Sequence, residues 1–526
     1  MKDKLLKIEY LTLFLYSIAI KFFMSMYSIR FSEIFTDNDG AIYYVIGKAI
    51  MNGKVLYRDI FDHKTPYIFF ANALASLLDK NHLGLFILEI TLLFITLIYT
   101  YKFLKLFTSK FRSLIGTFVL GILLNIPQIT FSYSRTEEYA IAFMMVGLYL
   151  FANYYFLYKK ESKENIIPMI AIGLMAGLTF MTNIRAIVLF VPFAFVMLIK
   201  NIKEKRFAYI IKLFFAGLLG VFLSTLPYII YMVLTNSAYD AFYAIYIFNL
   251  NYFESAMNIK DSIFTTVLAF MQEQIVVYIF TLLSFIALLK LKFDKYLKIS
   301  IIVSFAIAFY YITFSKRPYP YYLVIFFPYF LSLYFILLEL INWYKNKINL
   351  KKNVKIANKT KSSNIDNLDT TQPKLVYVAL SFVAFLILGI LLSNRTLSNR
   401  YKNCVFRASR MNQVVEAKFK DKSDVNILSF GFMPEAYVFM HTIPKYKYFM
   451  IPNVSYKVDK TPYMAQYEYI IATDPDVIVF KSRGFYDSYP QNYMNQVNWI
   501  LSTEYSLEDT IRTNDFDGDI FIFSKK

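Results

Sequence analysis

Long apolar segments alternate with short polar segments over the first three quarters of the chain. The apolar segments approach the roughly 20 residues that a helix needs to cross the hydrocarbon core of a bilayer. Inside lipid such segments must be helical, because every backbone polar group has to be hydrogen-bonded within the segment. About eleven membrane spans are predicted: 10–27, 85–101, 114–129, 140–157, 166–181, 186–199, 213–234, 276–289, 299–314, 323–341 and 375–392.

The polar segments predict the orientation of the chain in a cell membrane. Cytoplasmic loops are enriched in lysine and arginine, and residues 1–7 carry three lysines. The N-terminus is therefore predicted to be cytoplasmic and the first loop, 30–83, to lie outside. The later loops then alternate, so that the Lys-, Asn- and Ser-rich segment 345–374 is predicted to be a disordered cytoplasmic linker.

The residues after the last span differ in pattern from the rest. Short apolar segments at 425–430, 469–472, 477–480 and 520–523 predict buried strands, and apolar residues between 493 and 501 recur at helical spacing. The predicted fold is a polytopic α-helical membrane domain, 1–392, followed by a small extracytoplasmic α/β domain, 393–526. This second domain has an ordinary domain size.

Composition supports the membrane prediction and excludes several other classes. The chain is 57% hydrophobic and 18% charged, with a mean hydropathy of +0.44, unlike a soluble domain. Its net charge of +19 comes from short clusters between apolar runs, so a nucleic-acid partner is not predicted. A single cysteine, Cys404, and three histidines argue against a disulfide or a zinc site. The first apolar run lacks a cleavage site and is predicted to be a retained helix.

The first loop carries acidic residues close to the predicted membrane surface. Asp37 and Asp39 follow the first span, and a carboxylate there suits a base that takes a proton from an alcohol. Either aspartate also suits a cap for a helix over 40–51. Both interpretations stay open from the residues alone.

The end of the same loop favours an anion site. Thr65 and Pro66 predict the opening of a helix, which places His63 and Lys64 at its positive end. At a membrane surface the expected anion is a lipid phosphate. The alternative is a lysine that only contacts lipid head groups.

Asp59 and Asp62 could hold a divalent cation if they shared a helical face. Pairing with Arg58 or Lys64 is the simpler interpretation. The pattern requires no cofactor, and a divalent cation is left open.

Charged residues also lie in the later outer loops. Arg135, Glu137 and Glu138 occupy the second of these loops, where the carboxylates could equally complement a helix dipole. Arg185 and Arg317 lie near the outer ends of spans; arginine binds phosphate through two hydrogen bonds, although it also serves as a membrane-edge anchor. Charged residues beside a membrane cavity mark functional sites.

Three segments carry a resemblance to a known family. Residues 53–66 fit the pattern G-x-x-x-Y-x-D-x-x-D-H-K-x-P, residues 177–185 end a Gly-Leu-rich span in a polar, basic turn, and residues 317–322 are similar to an R-x-x-H-Y stretch. The chain resembles polyprenyl-phosphate-sugar-dependent glycosyltransferases of the GT-C superfamily, in particular bacterial relatives of protein O-mannosyltransferases and of lipid A aminoarabinose transferases.

The resemblance implies roles for individual residues. Asp39 would be the base, with Glu137 or Glu138 as an acidic partner. The lipid phosphate and donor would be bound by His63, Lys64, Arg135, Arg185, Arg317, Tyr321 and Tyr322. Two positions depart from the family: Gly40 stands where many relatives have glutamate, and Tyr321 stands where they have histidine.

The expected function is an inverting glycosyltransferase that takes a sugar from a polyprenyl-phosphate carrier and passes it to an acceptor on the outer face. Its partners would be the lipid-linked donor and the bilayer, while the sequence names neither sugar nor acceptor. A flippase or transporter of lipid-linked sugars is the alternative, although it would need ionisable groups along its spans. A protein that kept the fold to bind or scaffold without turnover is a third interpretation.

Overall fold

The computed structural model describes most of the chain, and its helices follow the predicted apolar pattern. The described residues are 2–31, 38–78, 82–127, 135–161, 165–257, 263–291, 294–314, 319–356, 375–422, 424–452, 454–481, 490–513 and 518–526. The helices of the membrane part are α1 Lys2–Met24, α2 Asn38–Met51, α3 Tyr67–Ser76, α4 Leu83–Leu104, α5 Lys110–Leu123, α6 Thr136–Glu161, α7 Ile167–Phe180, α8 Val191–Lys203, α9 Phe207–Leu234, α10 Ala238–Phe242, α11 Phe248–Met257, α12 Ile263–Lys290, α13 Lys295–Phe314, α14 Phe327–Ile356 and α15 Leu375–Phe419. Short 3₁₀ helices cover Ile184–Leu189 and Pro320–Phe326, and a π-helical turn covers Tyr243–Ile247.

Seven helical segments in the described residues are long and apolar enough to cross a membrane. They are Leu83–Leu104, Thr136–Phe156, Ile184–Lys203, Phe207–Leu234, Lys295–Thr313, Tyr321–Tyr344 and Val376–Phe419. The other four predicted spans also fall on helices, namely α1, α5, α7 and α12. The polytopic helical membrane fold is thus confirmed, and the count of eleven crossings stays a prediction.

Glycines let two membrane helices pack closely near the residues discussed below. A Cβ atom on Gly173 of α7 would overlap the carbonyl of Gly217 of α9, and one on Gly220 would overlap the carbonyl of Ile170. Only glycine permits this approach of the two backbones. The contact holds the first half of α7 against α9.

The predicted linker is partly helical. Helix α14 continues to Ile356, so 345–356 is helix where the sequence predicts a disordered segment. The remainder, 357–374, lies outside the described residues.

The C-terminal part, called the tail below, is an α/β unit built on one four-stranded sheet. Its strands are β1 Ile427–Phe430, β2 Val477–Lys481, β3 Tyr505–Ile511 and β4 Ile520–Lys525, in the order β1-β2-β4-β3. Strands β1 and β2 are parallel, with Ile427 opposite Val477, and the other two pairs are antiparallel. Three helices complete it: α16 Glu435–Phe439, α17 Thr461–Thr473 and α18 Gln491–Glu504.

One predicted strand of the tail is wrong. Residues 469–472 belong to α17, whose buried residues Tyr463, Gln466 and Ile470 recur at helical spacing. A four-residue apolar run does not distinguish a buried strand from the end of a helix. The other three predicted strands and the helix over 493–501 are present.

Helix α15 joins the membrane part to the tail without a break. Its first half packs against α1 and α5, where the Phe382 ring lies 5.0 Å from the ring of Tyr16. Its last turns contact the sheet, and Arg410 Nε donates to Asp509 Oδ2 at 2.6 Å. Loop contacts add to this connection: the Phe61 amide donates to the Lys447 carbonyl at 2.9 Å.

A buried glutamine joins two loops of the tail. Gln466 Nε2 donates to the carbonyls of Ser429 and Tyr448 at 3.0 and 3.1 Å, and its Oε1 accepts from the amide of Gly431 at 2.9 Å. Its side chain is fully buried. The loops after β1 and around 448–452 are therefore held together by one side chain.

We expect Gln466→Leu to destabilise the tail by about 3 kcal/mol or more, because three buried backbone groups lose their partners and each unsatisfied group costs roughly 1–3 kcal/mol. Thermal unfolding of the purified full chain measures the loss. Gln491→Leu is the control, since the exposed Gln491 side chain donates to exposed Asn495 and has no other side-chain hydrogen bond within the described residues. Equal stability of the two variants would contradict this role of Gln466.

Candidate functional site

A cavity of about 710 Å³ lies between the membrane helices and the tail. Its walls come from α2, the end of the first loop, the start of α6, the loop after α7, the segment around 245–252, and three tyrosines, Tyr319, Tyr321 and Tyr322. The tail adds three apolar side chains. Predicted site residues that line the cavity are Asp39, Asp62, His63, Lys64, Arg135, Glu137, Arg185, Tyr321 and Tyr322.

Asp39 faces this cavity from the first turn of α2. The helix begins at Asn38, so Asp39 is a helical residue rather than the cap. Its Oδ2 accepts a hydrogen bond from Arg135 Nη1 at 2.6 Å. The Arg135 guanidinium also stacks on the ring of Tyr321 at 3.8 Å. Arg135 thereby connects the base candidate with the start of a late span.

Lys64 is placed by a tight loop before α3. The Lys64 amide donates to Asp62 Oδ1 at 2.8 Å, its ammonium lies 3.8 Å from the same oxygen, and its carbonyl accepts from the Tyr57 hydroxyl at 2.7 Å. Burial raises the pKa of the Asp62 carboxyl despite the lysine beside it. Burial lowers the pKa of Lys64, but the acidic groups around it, Asp62 first, raise it by more, so the pKa is raised overall. Lys64 therefore remains a cation at the cavity wall.

The predicted helix opening at Thr65 and Pro66 is wrong in detail. Helix α3 begins at Tyr67, and Pro66 occupies the N-cap position without a side-chain hydrogen bond. Residue 66 lacks a side-chain donor or acceptor, so α3 starts without the predicted cap. Near this end, the His63 ring packs beside the rings of Phe248 and Tyr252, with centroids 5.4 and 5.0 Å away.

Asp59 and Asp62 do not share a helical face, since the loop that carries them is not helical. Asp59 lies outside the cavity lining and pairs with Arg58 at 2.9 Å. Its hydrogen bonds from Arg58 lower the pKa of the Asp59 carboxyl. Asp62 pairs with Lys64, as the simpler interpretation predicted. No group of three or more potential metal ligands occurs within the described ranges.

Glu137 and Glu138 point in different directions. Glu137 is buried and lines the cavity, whereas Glu138 lies in a separate space of about 30 Å³ with Lys21 and Glu89. Lys21 and Glu89 form an ion pair at 3.7 Å. Adjacent residues of an α-helix differ by about 100° around its axis, and here this rotation turns the Glu138 carboxylate away from the cavity that Glu137 lines. Of the two predicted alternatives, the structure places Glu137 in the lining of the cavity and Glu138 outside it.

The loop after α7 brings Arg185 to the cavity. Its guanidinium stacks on the ring of Tyr322 at 3.7 Å, and it forms no ion pair with any residue that the structure describes. Asn183 in this loop donates through Nδ2 to Thr136 Oγ1 at 2.9 Å and accepts through Oδ1 from the Arg185 amide at 3.0 Å.

Two predicted site residues, Asp37 and Arg317, lie outside the described residues, so the structure does not place them.

The structure adds cavity residues to which sequence reasoning assigned no role. From the membrane part these include Asn183 and Asn249, whose Nδ2 donates to the His63 carbonyl at 2.8 Å. From the tail they are Phe432, Met450 and Pro452. Asn183 stood inside a recognised motif, and its polar character at the end of an apolar span was a usable signal. The tail residues carried no such signal, because only the folded chain brings them to the membrane part.

The cavity is lined by opposite charges. Three carboxylates, those of Asp39, Asp62 and Glu137, lie among the cations of Lys64, Arg135 and Arg185. Two carboxylates are engaged in the ion pairs described above. The arrangement combines an acceptor of protons with guanidinium and ammonium groups that suit an oxyanion.

Comparisons with known proteins give a family and a fold. Residues 2–365 match the family model described as "Putative competence-induced protein Ccs4 N-terminal domain". Two solved structures of ArnT from Cupriavidus metallidurans are similar over nearly their whole length. The structure bound to undecaprenyl phosphate has a TM-score of 0.57 and 11% identity, with 98% of this chain and 97% of that chain covered. The apo structure has a TM-score of 0.56 and 10% identity, with coverage of 99% and 98%. No curated protein sequence matches.

Proposed function

Because this chain belongs to the family of the competence-induced protein Ccs4 N-terminal domain and has the fold of GT-C membrane glycosyltransferases, we propose that it transfers a sugar from a polyprenyl-phosphate carrier to an acceptor. One observation carries the proposal: a single cavity holds the Asp39 carboxylate together with Lys64 and Arg185. The undecaprenyl phosphate bound to the ArnT structure supports the same class of carrier.

In the proposed mechanism, Lys64 and Arg185 bind the phosphate of the carrier, and Asp39 takes the proton of the acceptor hydroxyl. The acceptor oxygen forms a bond to the anomeric carbon while the bond from that carbon to the phosphate oxygen breaks. Polyprenyl phosphate leaves, and the anomeric configuration inverts. Arg135 orients Asp39 through their hydrogen bond, and cations around the phosphate stabilise its developing charge.

The proposal includes an orientation of the chain. The cavity and the tail would face the outside of the cell membrane, with the N-terminus in the cytoplasm, as the distribution of basic residues predicts. Residues 1–392 would then contain the chemistry. The tail would cover the cavity from outside, where Phe432, Met450 and Pro452 line it.

Turnover by the purified protein tests the proposal. Full-length protein in detergent is incubated with a lipid extract that contains radiolabelled polyprenyl-phosphate sugars and with envelope glycan as acceptor. We expect label to move from the lipid to the acceptor and polyprenyl phosphate to be released. A flippase moves the intact lipid, so label that stays in the lipid fraction would overturn the proposal and favour that alternative.

A further inference from the structure

A directed chain of hydrogen bonds runs from the loop after α7 to the start of α6. Asn183 Nδ2 donates to Thr136 Oγ1 at 2.9 Å, and Thr136 Oγ1 donates to Glu137 Oε2 at 3.0 Å. All three side chains are buried. The hydrogen bonds therefore link the loop after α7 to the start of α6, 47 positions earlier in the sequence, and end on a carboxylate of the cavity.

The direction of this chain follows from chemistry. The backbone amide of Arg185 can only donate, and it lies 3.0 Å from Asn183 Oδ1; the amide orientation of Asn183 is thereby determined, with Nδ2 facing Thr136. A threonine hydroxyl has one hydrogen. Asn183 Nδ2 can only donate to this oxygen, so of the two neighbours only the Glu137 carboxyl oxygen accepts that hydrogen. Successive hydrogen bonds of this kind polarise one another.

The same asparagine sets the position of Arg185. Asn183 has extended backbone angles and caps the 3₁₀ helix Ile184–Leu189 through its side-chain oxygen. The cap fixes the backbone at Arg185, and from this position the Arg185 guanidinium reaches the ring of Tyr322. The Asn183 side chain thus acts on two groups. Its nitrogen holds the Glu137 carboxylate through Thr136, and its oxygen holds the backbone of Arg185.

The loop that carries Asn183 is itself held in place. The Asn183 amide donates to the Thr179 carbonyl at 2.7 Å, and the Tyr67 amide donates to the Met181 carbonyl at 3.2 Å. The second contact joins this loop to the start of α3, three residues after Lys64. Movement of the loop would consequently disturb several walls of the cavity together.

We propose that Asn183 is a positioning residue that sets the Glu137 carboxylate and the Arg185 guanidinium relative to each other in the cavity. The inference rests on the proposed function, because it assigns these groups to sugar transfer and phosphate binding. Asn183 itself need not touch the substrate. Misplacing a reacting or binding group by about 1 Å costs roughly 100-fold in rate, so a shared support for two such groups has a measurable effect.

Two substitutions of Thr136 separate hydrogen bonding from packing. Thr136→Val keeps the shape and removes the hydroxyl, while Thr136→Ser keeps the hydroxyl and removes a methyl group. We expect Thr136→Val to lower kcat for transfer by roughly 10- to 100-fold and Thr136→Ser to stay near wild type. A packing role predicts the reverse order, and that order, or equal activity of the two variants, would overturn the inference.

Two substitutions of Asn183 distinguish the role of its side-chain oxygen from that of its side-chain nitrogen. Undecaprenyl phosphate is the binding probe. Serine can still cap the Arg185 amide but is too short to reach Thr136, whereas alanine does neither. We expect Asn183→Ser to bind the probe with a Kd within about 3-fold of wild type and to lose kcat like Thr136→Val. Asn183→Ala should lose both binding and kcat, with Kd raised roughly 10-fold.

The outcomes distinguish the inference from the function on which it rests. Wild-type protein that neither binds undecaprenyl phosphate nor transfers sugar would overturn the proposed function and this inference with it. If the wild-type protein binds undecaprenyl phosphate and transfers sugar, and Asn183→Ala has the same Kd and kcat, only the role of Asn183 is overturned. Retained probe binding by Thr136→Val shows that this variant is folded.

Discussion

Asp39→Asn should lower the rate of sugar transfer by roughly 100- to 10,000-fold, the range that a positioned general base contributes. Asparagine has nearly the same shape as aspartate, but it cannot take a proton from the acceptor hydroxyl. Binding of undecaprenyl phosphate should be no weaker than in wild type, since the change removes a negative charge from the cavity. Transfer of radiolabelled sugar and binding of the carrier, measured on the same purified protein, test both statements.

The ion pair of Asp39 with Arg135 calls for a second variant. Asp39→Asn replaces the carboxylate beside the partly buried Arg135 guanidinium with a neutral amide, and removing one charge of such a pair is itself destabilising. The double variant Asp39→Asn with Arg135→Gln removes both charges. If the double variant recovered transfer, Asp39 would only be the partner of Arg135; if Asp39 is the base, activity stays low.

Lys64→Met should weaken binding of undecaprenyl phosphate by roughly 10- to 100-fold. The methionine keeps the apolar stem and loses the charge, and a hydrogen bond to a charged group contributes about 1.5–3 kcal/mol. Titration of the purified protein with undecaprenyl phosphate measures the change. Lys54→Met is the matched control from the same loop, because the Lys54 ammonium contacts the Lys445 carbonyl of the tail instead of lining the cavity.

Loss of Lys64 also leaves buried Asp62 without its cation. The double variant Asp62→Asn with Lys64→Met removes this complication, since an isosteric amide replaces the carboxylate. It should fold like wild type and still bind the carrier weakly. Wild-type affinity in both Lys64 variants would exclude Lys64 from the phosphate site.

The membrane helices were predictable because the bilayer imposes their length and composition. The apolar run 213–234 is recognisable as a membrane helix from its own residues, and α9 covers this run. The tail was harder, since a strand such as β3 buries only its ends, Tyr505 and Ile511, and has exposed Leu507 between them. Its place in the sheet depends on pairing with β4, which the apolar pattern of β3 itself does not indicate.

The residues of the candidate site were predictable from the sequence, but the contacts between them were not. Motif and charge placed Asp39, Lys64 and Arg185 near one membrane face, and the fold brings them into one cavity. The sequence could not show that Arg135 pairs with Asp39, because the two are 96 positions apart. It also could not separate Glu137 from Glu138, since helix phase decides which neighbour faces the cavity.

The unbroken α15 helix has a consequence for chimaeric proteins. It runs for 45 residues, roughly 67 Å, and it both packs in the bundle and pairs with the sheet. Each residue inserted into such a rod rotates everything beyond it by about 100°. Two extra residues after Ser393 would turn the sheet roughly 200° away from the bundle. Seven extra residues would return the sheet to within about 20° of its original orientation and move it roughly 10 Å further along the helix axis. Grafts between related chains should therefore keep the length of this rod unchanged.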